Sequence, residues 1–282
     1  MKILITGANG MVARTMANIC EKLGDEVVAL DRARLNIADR EAVMSVIGGE
    51  SPDAVLNCAA FTNVDLAEKE EAACYAANAD GPENLAMACK ESGSALVTIS
   101  TDYVFGGKKE GFYTEEDTPD PISVYGRSKY EGELRTEAAY PAAVTVRSGW
   151  IYGSGGINFL SKIPEMLAEN KPFTAIDDVF GTPTNANDLA LRLRELALSN
   201  ASGIFHVANT GDGTTYHGFA AAVCDVIGAE RELITKISGA ELERPAPRPC
   251  NSRLASIRSE KFEPMPHWAD SLRNYLASPL VS

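Results

Sequence analysis

The sequence is poor in the residues that build metal sites and disulfide frameworks. Its 282 residues include three histidines and six cysteines. No cysteines form a CxxC pair and no histidines have HExxH spacing, so a disulfide framework, a zinc knuckle and a histidine metal site are all disfavoured. We therefore expect buried free thiols and no metal ion. His206 lies in the apolar run GIFHVAN and is expected to be a packed core residue.

Positive charge and long apolar runs are also scarce. The chain has 26 Lys and Arg residues against 39 Asp and Glu residues, a formal net charge of -13, and such a surface repels nucleic acid. No apolar stretch approaches the ~20 residues that a membrane span needs. The first residues predict a strand rather than a signal peptide. We therefore expect a cytoplasmic protein that binds neither nucleic acid nor membrane.

The sequence does contain a repeat of strand, turn and helix with short connections, which predicts a parallel, doubly wound α/β sheet. The predicted strands are 2–6, 26–30, 53–57, 94–100, 142–148 and 172–176. The predicted helices are 11–23, 39–48, 71–92, 124–138, 157–169 and about 215–228. Ligands of such sheets bind beyond the carboxyl ends of the strands, where the strand order reverses. One crevice is therefore expected to collect Gly7, Ala59, Thr101 and the segment around Arg147.

The first predicted strand runs directly into a glycine turn, TGANG, which contains Gly7 and Gly10. Glycines there let the backbone approach a pyrophosphate, whose charge faces the N-terminus of the next helix. Ala13 stands at the third position of the usual fingerprint and still permits close packing of helix on sheet. The turn therefore predicts a dinucleotide site.

The second predicted strand ends in Asp31, which would accept hydrogen bonds from the ribose hydroxyls of NAD. Arg32 and Arg34 follow, and an arginine there can bind the extra phosphate of NADP. The sequence therefore leaves NADPH and NADH both open. Ala59 and Ala60, after the third strand, either pass under a flat ring or are plain packing residues.

Tyr125 and Lys129, in the pentapeptide YGRSK, are i and i+4 neighbours on a predicted helix. A phenol titrates near ~10, so a nearby ammonium would favour its ionised form and make it a better proton carrier. Thr101, at the end of the strand ALVTIS, would add a hydrogen bond to a carbonyl oxygen. The alternative is two ordinary surface residues, but the glycine turn favours the catalytic interpretation.

Eight segments occur in an order that resembles the extended short-chain dehydrogenase/reductases of the dTDP-4-dehydrorhamnose reductase type. They are TGANGMVA (6–13), PDAVLNCAAFTNVDLAE (52–68), STDYVFGG (100–107), YGRSKYEGE (125–133), VRSGWIYG (146–153), NF (158–159), FGTPTNANDLA (180–190) and RPCNSRL (248–254). The resemblance implies reduction of the 4-keto group of a nucleotide-linked 6-deoxyhexose by NADPH or NADH. The cofactor-binding residues implied are Gly7, Asn9, Gly10, Met11, Val12, Asp31, Arg32, Ala59, Ala60, Thr62, Tyr125 and Lys129.

The resemblance also assigns roles in the reaction. Tyr125 would donate the proton, Lys129 would lower its pKa and hold the nicotinamide ribose, and Thr101 would position the carbonyl. The implied substrate-binding residues are Asp102, Tyr103 and Val104, which line the sugar pocket, Trp150, which walls it, and Arg248, which clamps the diphosphate.

The implied architecture is a Rossmann-type domain with a smaller C-terminal substrate-binding lobe. Residues 1–150 would form the dinucleotide-binding domain, with 172–208 returning to the sheet. The lobe would comprise mainly 151–171 and 209–282. The loop 106–121 is either a lid over the sugar or a long surface connection.

The chain departs from the family pattern at Val179, where glutamine is usual, at Asn36, where aspartate is usual, and at Tyr216 and His217, where a tryptophan is usual. These changes leave the hydride chemistry intact and the exact sugar open. Some members dimerise through magnesium bound by acidic residues on the first and later helices. Here the first helix has no acid before Glu21, so we expect a monomer or a metal-independent homodimer.

Two other functions fit the same fold. One is a reductase or epimerase of another nucleotide sugar, such as a UDP-linked one. The other is a non-catalytic regulatory subunit, as in the beta chain of methionine adenosyltransferase. The presence of Thr101, Tyr125 and Lys129 together favours catalysis.

Overall fold

The computed structural model describes residues 1–258 and 262–278, and these form twelve β-strands and ten α-helices. The strands are β1 Lys2–Thr6, β2 Glu26–Leu30, β3 Ala54–Asn57, β4 Ala95–Thr101, β5 Val144–Ser148, β6 Ile151–Tyr152, β7 Phe173–Ile176, β8 Phe180–Gly181, β9 Thr184–Asn185, β10 Gly203–His206, β11 Thr214–Thr215 and β12 Ile234–Ile237. The helices are α1 Met11–Lys22, α2 Arg40–Glu50, α3 Val64–Ala67, α4 Glu71–Tyr75, α5 Gly81–Ser92, α6 Val124–Ala139, α7 Phe159–Ala168, α8 Ala186–Leu198, α9 Tyr216–Ile227 and α10 Trp268–Leu276.

Six strands form one parallel sheet in the order β10-β5-β4-β3-β1-β2. Side chains alternate between its two faces. Ile3 and Ile5 pack on the side of α1 and α8, and Leu4 packs on the side of α2 and α5. The predicted doubly wound sheet is therefore confirmed, and its strand order reverses between β1 and β3, where a ligand crevice is expected.

One predicted strand belongs to a different sheet. Residues 172–176 contain β7, but β7 pairs in parallel with β12 in a separate two-stranded sheet. The prediction that this segment joins the central sheet is therefore wrong. The sixth central strand is β10, whose His206 is the register partner of Arg147 in β5. The β7–β12 sheet packs with α7, α9 and α10 in a second core that includes Phe219 and Ile163.

The predicted helix 71–92 is interrupted by a π-helical segment, Ala76–Asp80, between α4 and α5. Asn78 in this segment is buried, and its side chain donates to the Phe61 carbonyl at 3.0 Å and to Ser128 Oγ at 3.0 Å. Gly132 of α6 fits against it, because a Cβ there would lie 2.0 Å from the Asn78 carbonyl oxygen. The π segment, a feature frequent at functional sites, thus joins the chain after β3 to α6.

The cysteines and His206 largely follow the sequence expectation. All six cysteines are free, but Cys58 is only half-buried and Cys250 is exposed, so the expected burial is wrong for Cys250. His206 is a core residue as predicted, with Nδ1 3.0 Å from the Ala255 carbonyl oxygen. In the described ranges, each helix is too short or too polar to cross a membrane.

Candidate active site

The turn after β1 brings the chain to the N-terminus of α1. Gly7 has a φ of +72°, and a Cβ there would lie 2.8 Å from the backbone nitrogen of Ala59, so the close approach of the two segments requires glycine. The Gly10 N–H donates to the Gly7 carbonyl at 2.8 Å, and Met11 and Val12 open the helix. The first turn of α1 has no acidic side chain. This cradle fits an anionic pyrophosphate.

Asp31 lies beside this turn at the end of β2. Its carboxylate accepts from Asn9 Nδ2 at 3.3 Å and from the backbone N–H groups of Ala33 and Arg34 at 3.1 Å each. Arg32 is exposed. The Asp31 carboxylate is therefore suited to ribose hydroxyls, and Arg32, the next residue in sequence, is exposed and available for an extra phosphate.

The segment after β3 forms the other side of the crevice. The Ala59 N–H donates to Thr6 Oγ1 at 3.3 Å and to Asn57 Oδ1 at 3.2 Å. Ala60 is half-buried and Thr62 is exposed. Ala59 also packs against the core formed by α2 and α5, so both alternatives for this segment, a place under a flat ring and plain packing, stay open.

Thr101, Tyr125 and Lys129 come together at the carboxyl end of β4. Thr101 is the last residue of that strand, and α6 begins beside it with Ser123 as its N-cap. Lys129 is 4% exposed, and its Nζ donates to the Ile99 carbonyl at 2.7 Å. The three predicted catalytic side chains thus share one site.

Desolvation controls the acidity of this site. Burial raises the pKa of Tyr125 to about 12, while a hydrogen bond with Thr101 acts in the opposite direction. Burial lowers the pKa of Lys129 to about 8. Desolvation outweighs any effect of Lys129 on the pKa of the phenol in this structure, where the ammonium donates to the Ile99 carbonyl, so the predicted lowering of that pKa stays a prediction for the complex with dinucleotide. At neutral pH the phenol keeps its proton and Lys129 keeps its charge.

Asp102 lies buried beside Thr101 with one carboxylate oxygen free. Thr101 Oγ1 donates to Asp102 Oδ1 at 3.0 Å, while Oδ2 has no hydrogen-bond partner within residues 1–258 and 262–278. The carboxylate packs on Gly149, where a Cβ would lie 2.3 Å from Asp102 Cγ. Burial raises the pKa of Asp102 to about 6, while the nearby hydroxyls of Ser252 and Thr101 act in the opposite direction, although only Thr101 lies within hydrogen-bond geometry. Buried polar atoms normally have partners, so the free oxygen suits a polar group of a ligand.

Aromatic side chains surround this carboxylate. Trp150 stacks on Tyr216 with ring centroids 4.0 Å apart, and Tyr103 meets Tyr125 edge-to-face at 5.9 Å. Trp150 adopts a φ of +50°, a left-handed conformation that is strained for a bulky side chain and is often found at functional sites. Burial raises the pKa of Tyr216 to about 12, so its hydroxyl remains a hydrogen-bond donor at neutral pH.

Arg248 reaches the site from the second half of the chain, but its guanidinium is engaged. Its Nη1 and Nη2 donate to the Asp65 carboxylate of α3 at 2.9 and 2.8 Å. Arg253 lies between the rings of Phe112 and Phe180, with its Cζ 5.2 Å from each centroid, and so has a packing role. Arg248 is therefore the candidate for a diphosphate.

Val104 and the loop 106–121 are built into a small core. Val104 is fully buried and packs with Phe105, Tyr113 and Leu254. The rings of Phe105 and Tyr113 stack with their centroids 4.2 Å apart. The structure places the Val104 side chain in this core, contrary to the prediction that it lines the sugar pocket. The same contacts favour a fixed connection over a mobile lid for the loop.

Sequence reasoning missed two ionised residues near Lys129. Glu133 and Arg147 form a buried ion pair, with Arg147 Nη2 2.6 Å from Glu133 Oε2. The available signal was spacing, because Glu133 stands four residues after Lys129 and so shares its helix face.

The acidic position on the later helix is engaged in hydrogen bonds. Asp188 Oδ2, near the start of α8, accepts from Asn209 Nδ2 at 2.8 Å and from Ser271 Oγ at 2.5 Å. In the described part of the chain, no three His, Cys, Asp or Glu side chains are grouped so as to hold a metal ion.

Comparisons with known proteins agree with this arrangement. The sequence profile of the family described as RmlD substrate binding domain matches residues 1–280. The dTDP-4-dehydrorhamnose reductase of Streptomyces griseus is 39% identical over 95% of this chain and 91% of that protein. The crystal structure of dTDP-4-dehydrorhamnose reductase from Bacillus anthracis in complex with NADP has a TM-score of 0.93 and 32% identity, covering 98% of each chain. The corresponding enzyme structure from Clostridium acetobutylicum has a TM-score of 0.92 and 34% identity, again over 98% of each chain.

These matches span the glycine turn, the end of β4, α6 and the second core together. With this identity and coverage, the chain belongs to the dTDP-4-dehydrorhamnose reductase family.

Proposed function

We propose that this protein reduces the 4-keto group of a nucleotide-linked 6-deoxyhexose, converting dTDP-4-dehydro-L-rhamnose to dTDP-L-rhamnose with NADPH or NADH. The observation that carries the proposal is the convergence of Thr101, Tyr125 and Lys129 at the end of β4. The glycine turn at Gly7 lies at the end of β1, in the same sheet. The activities named for the relatives support the choice of substrate.

In this proposal the bound dinucleotide supplies the hydride to the carbonyl carbon. Tyr125, which holds its proton at neutral pH, donates it to the carbonyl oxygen, so that a hydride and a proton are added across the double bond. The Thr101 hydroxyl, which here donates to Asp102, turns its hydrogen bond to the same oxygen. The Lys129 ammonium stabilises the phenolate left behind until solvent returns its proton.

The surrounding residues suit a sugar and a diphosphate. Asp102 Oδ2 is available to accept a hydrogen bond from a sugar hydroxyl. The stacked rings of Trp150 and Tyr216 provide an apolar wall for the sugar face. Arg248 offers a planar guanidinium to the diphosphate, beside the carboxylate of Asp65.

The test is the oxidation of NADPH and of NADH in the presence of enzymatically prepared dTDP-4-dehydro-L-rhamnose, with product identified by mass. A UDP-linked 4-keto sugar and dTDP-4-keto-6-deoxy-D-glucose serve as alternative substrates, because Val179 and Tyr216 depart from the family pattern. Turnover with the rhamnose precursor that exceeds the others supports the proposal.

Faster turnover of another keto sugar would identify that sugar as the substrate in place of dTDP-4-dehydro-L-rhamnose. Sugar interconversion without net consumption of NADPH would indicate an epimerase. If no sugar is turned over although the dinucleotide binds, the result would favour the role of a non-catalytic regulatory subunit. A cytoplasmic location and a monomeric or metal-independent dimeric state stay predictions of the sequence.

A further inference from the structure

Two charged side chains are buried behind Lys129, and the proposed reaction does not use them. Glu133 on α6 and Arg147 on β5 are each 2% exposed in their side chains. Arg147 Nη2 donates to Glu133 Oε2 at 2.6 Å and its Nε donates to Oε1 at 3.0 Å. A buried ion pair gains little over apolar packing of the same volume, because both ions lose their hydration. The location of the pair therefore calls for a role other than stability.

The pair fixes the catalytic helix on the sheet. Lys129 Nζ is bonded to the Ile99 carbonyl, and one helical turn later Glu133 Oε1 accepts from Ser100 Oγ at 2.5 Å. These two partners are consecutive residues of β4 and directly precede Thr101. Ser100 is also the register partner of Arg147 across β4 and β5. The Glu133 carboxylate therefore joins α6 to two adjacent strands at the level of the site.

The pair also sets the charge around Lys129. The groups that face this ammonium are Glu133 from α6, Cys74 from α4 and Cys58 after β3. Burial raises the pKa of both thiols, that of Cys58 to about 12, so they are neutral at physiological pH. Burial pushes Lys129 toward the neutral amine, and Glu133 is the ionised neighbour that acts in the opposite direction.

We propose that Glu133, oriented by Arg147, is a positioning residue that holds α6 in register with β4 and keeps Lys129 in its ammonium form. It acts through Lys129 rather than by touching substrate or cofactor. This inference rests on the proposed function, since it assigns Lys129 a role in binding the dinucleotide and in catalysis.

The test compares the pH dependence of NADPH binding, followed by nucleotide fluorescence, and of turnover in the wild type and in Glu133→Gln. Glutamine keeps an acceptor for Ser100 but removes the charge. We expect the alkaline limb, where Lys129 loses its proton, to move down by about one pH unit, so that affinity above the limb falls up to about tenfold while affinity near pH 6 is kept. Glu131→Gln, on the exposed side of the same helix where Glu131 pairs with Arg135, should leave both profiles unchanged.

A second variant covers the case in which Glu133→Gln fails to fold because Arg147 is left unpaired. Glu133→Gln combined with Arg147→Met removes both charges of the pair, so no guanidinium is left buried without a carboxylate. It should fold and shift the alkaline limb in the same direction.

If the alkaline limb does not move in either folded variant, or if affinity falls equally at every pH, the proposal is wrong. Glu133 then has only a packing role. Because NADPH binding is measured without a sugar, wild type that binds NADPH but reduces no sugar would contradict the proposed function alone. The shift in binding would still decide the role of Glu133.

Discussion

Tyr125 combines a buried phenol with a pKa raised to about 12. At neutral pH it is fully protonated, and an alkoxide formed at a reduced carbonyl is a stronger base than the resulting phenolate. Tyr125→Phe removes this proton while keeping the ring contact with Tyr103. We therefore expect turnover to fall by ~10²–10⁴, the range for loss of a general acid, with NADPH affinity changed by less than about twofold. Steady-state rates and a fluorescence titration measure the two effects.

Tyr130→Phe, five residues further along α6, is the matched control and should behave as wild type. Turnover of Tyr125→Phe above roughly a tenth of the wild-type rate would remove the proton-donor assignment, because a general acid contributes at least ~10².

Arg32 is the residue placed to distinguish the two dinucleotides. It is exposed and directly follows Asp31, which accepts from Asn9 of the glycine turn, while the neighbouring Arg34 donates to the Ala29 carbonyl at 3.3 Å. If Arg32 binds the extra phosphate of NADPH, Arg32→Ala should raise KM for NADPH about tenfold relative to KM for NADH, the size of one lost charged hydrogen bond. Initial rates with both dinucleotides measure this ratio. Arg34→Ala is the control, and an unchanged ratio in Arg32→Ala with a changed one in Arg34→Ala would transfer the role.

The sequence was informative about residues whose role depends on short spacing. Gly7 follows a strand and precedes a helix, and Tyr125 and Lys129 are one turn apart, so chain geometry alone places them. The acidities were not predictable, because they depend on how completely the folded protein removes water from Tyr125 and Lys129. The contact of Asp65 with Arg248 was not predictable either, because the two residues are distant in sequence and only the fold brings them together.

The strands and helices show which features of the fold cannot be predicted from the local sequence pattern alone. The segment 172–176 has strand propensity and forms β7, but its partner is β12, about sixty residues later. The apolar segment at 203–206 instead completes the central sheet as β10. Strand propensity indicates that a segment suits a pleated sheet, but it carries no information on which other strand will pair with it. The π segment at 76–80 likewise depends on packing of Asn78 against α6.

One ion pair couples the end of α1 to α8. Arg194 Nε and Nη2 donate to Asp25 at 2.6 and 3.1 Å, and the Asp25 side chain is 3% exposed. The hydrogen bond from Arg194 holds the pKa of Asp25 below its usual value. Since the folded pKa lies below the unfolded one, the pair stabilises the protein above the unfolded value of ~3.9 and this contribution is lost as pH falls through the folded value.

Arg194→Met should therefore lower the free energy of unfolding by about 1–3 kcal/mol at pH 7, because the Asp25 carboxylate then keeps only the N-terminal ammonium, 3.3 Å away, as a charged partner. The difference from wild type should shrink below about pH 3. Urea denaturation at both pH values measures this. Arg273→Met breaks an exposed pair with Asp270 and should change stability by less than about 0.5 kcal/mol. A pH-independent effect of Arg194→Met would show that the methylene packing of Arg194, rather than its charge, matters.

At the scale of the whole molecule, contacts at the candidate active site connect the central sheet to the second core. Asp65 on α3 belongs to the part of the chain that contacts α6, and Arg248 belongs to the segment that follows β12. Asp65 accepts both bonds from Arg248 and a third from the Ala246 N–H at 3.1 Å. This carboxylate therefore fixes the position of the segment that carries the proposed diphosphate ligand.

Asp65→Asn tests whether this connection serves substrate binding. An amide cannot accept two charged bonds from the guanidinium, so Arg248 should lose its fixed orientation. We expect KM for the nucleotide sugar to rise about five- to tenfold, with kcat and NADPH affinity within about twofold of wild type, because a weakened contact of Arg248 with the diphosphate costs about 1–1.4 kcal/mol. Asp270→Asn, at an exposed pair, is the control. An unchanged KM would show that Arg248 does not depend on Asp65, whereas an equal fall in kcat and NADPH affinity would place the effect of Asp65 on α6 and the catalytic side chains.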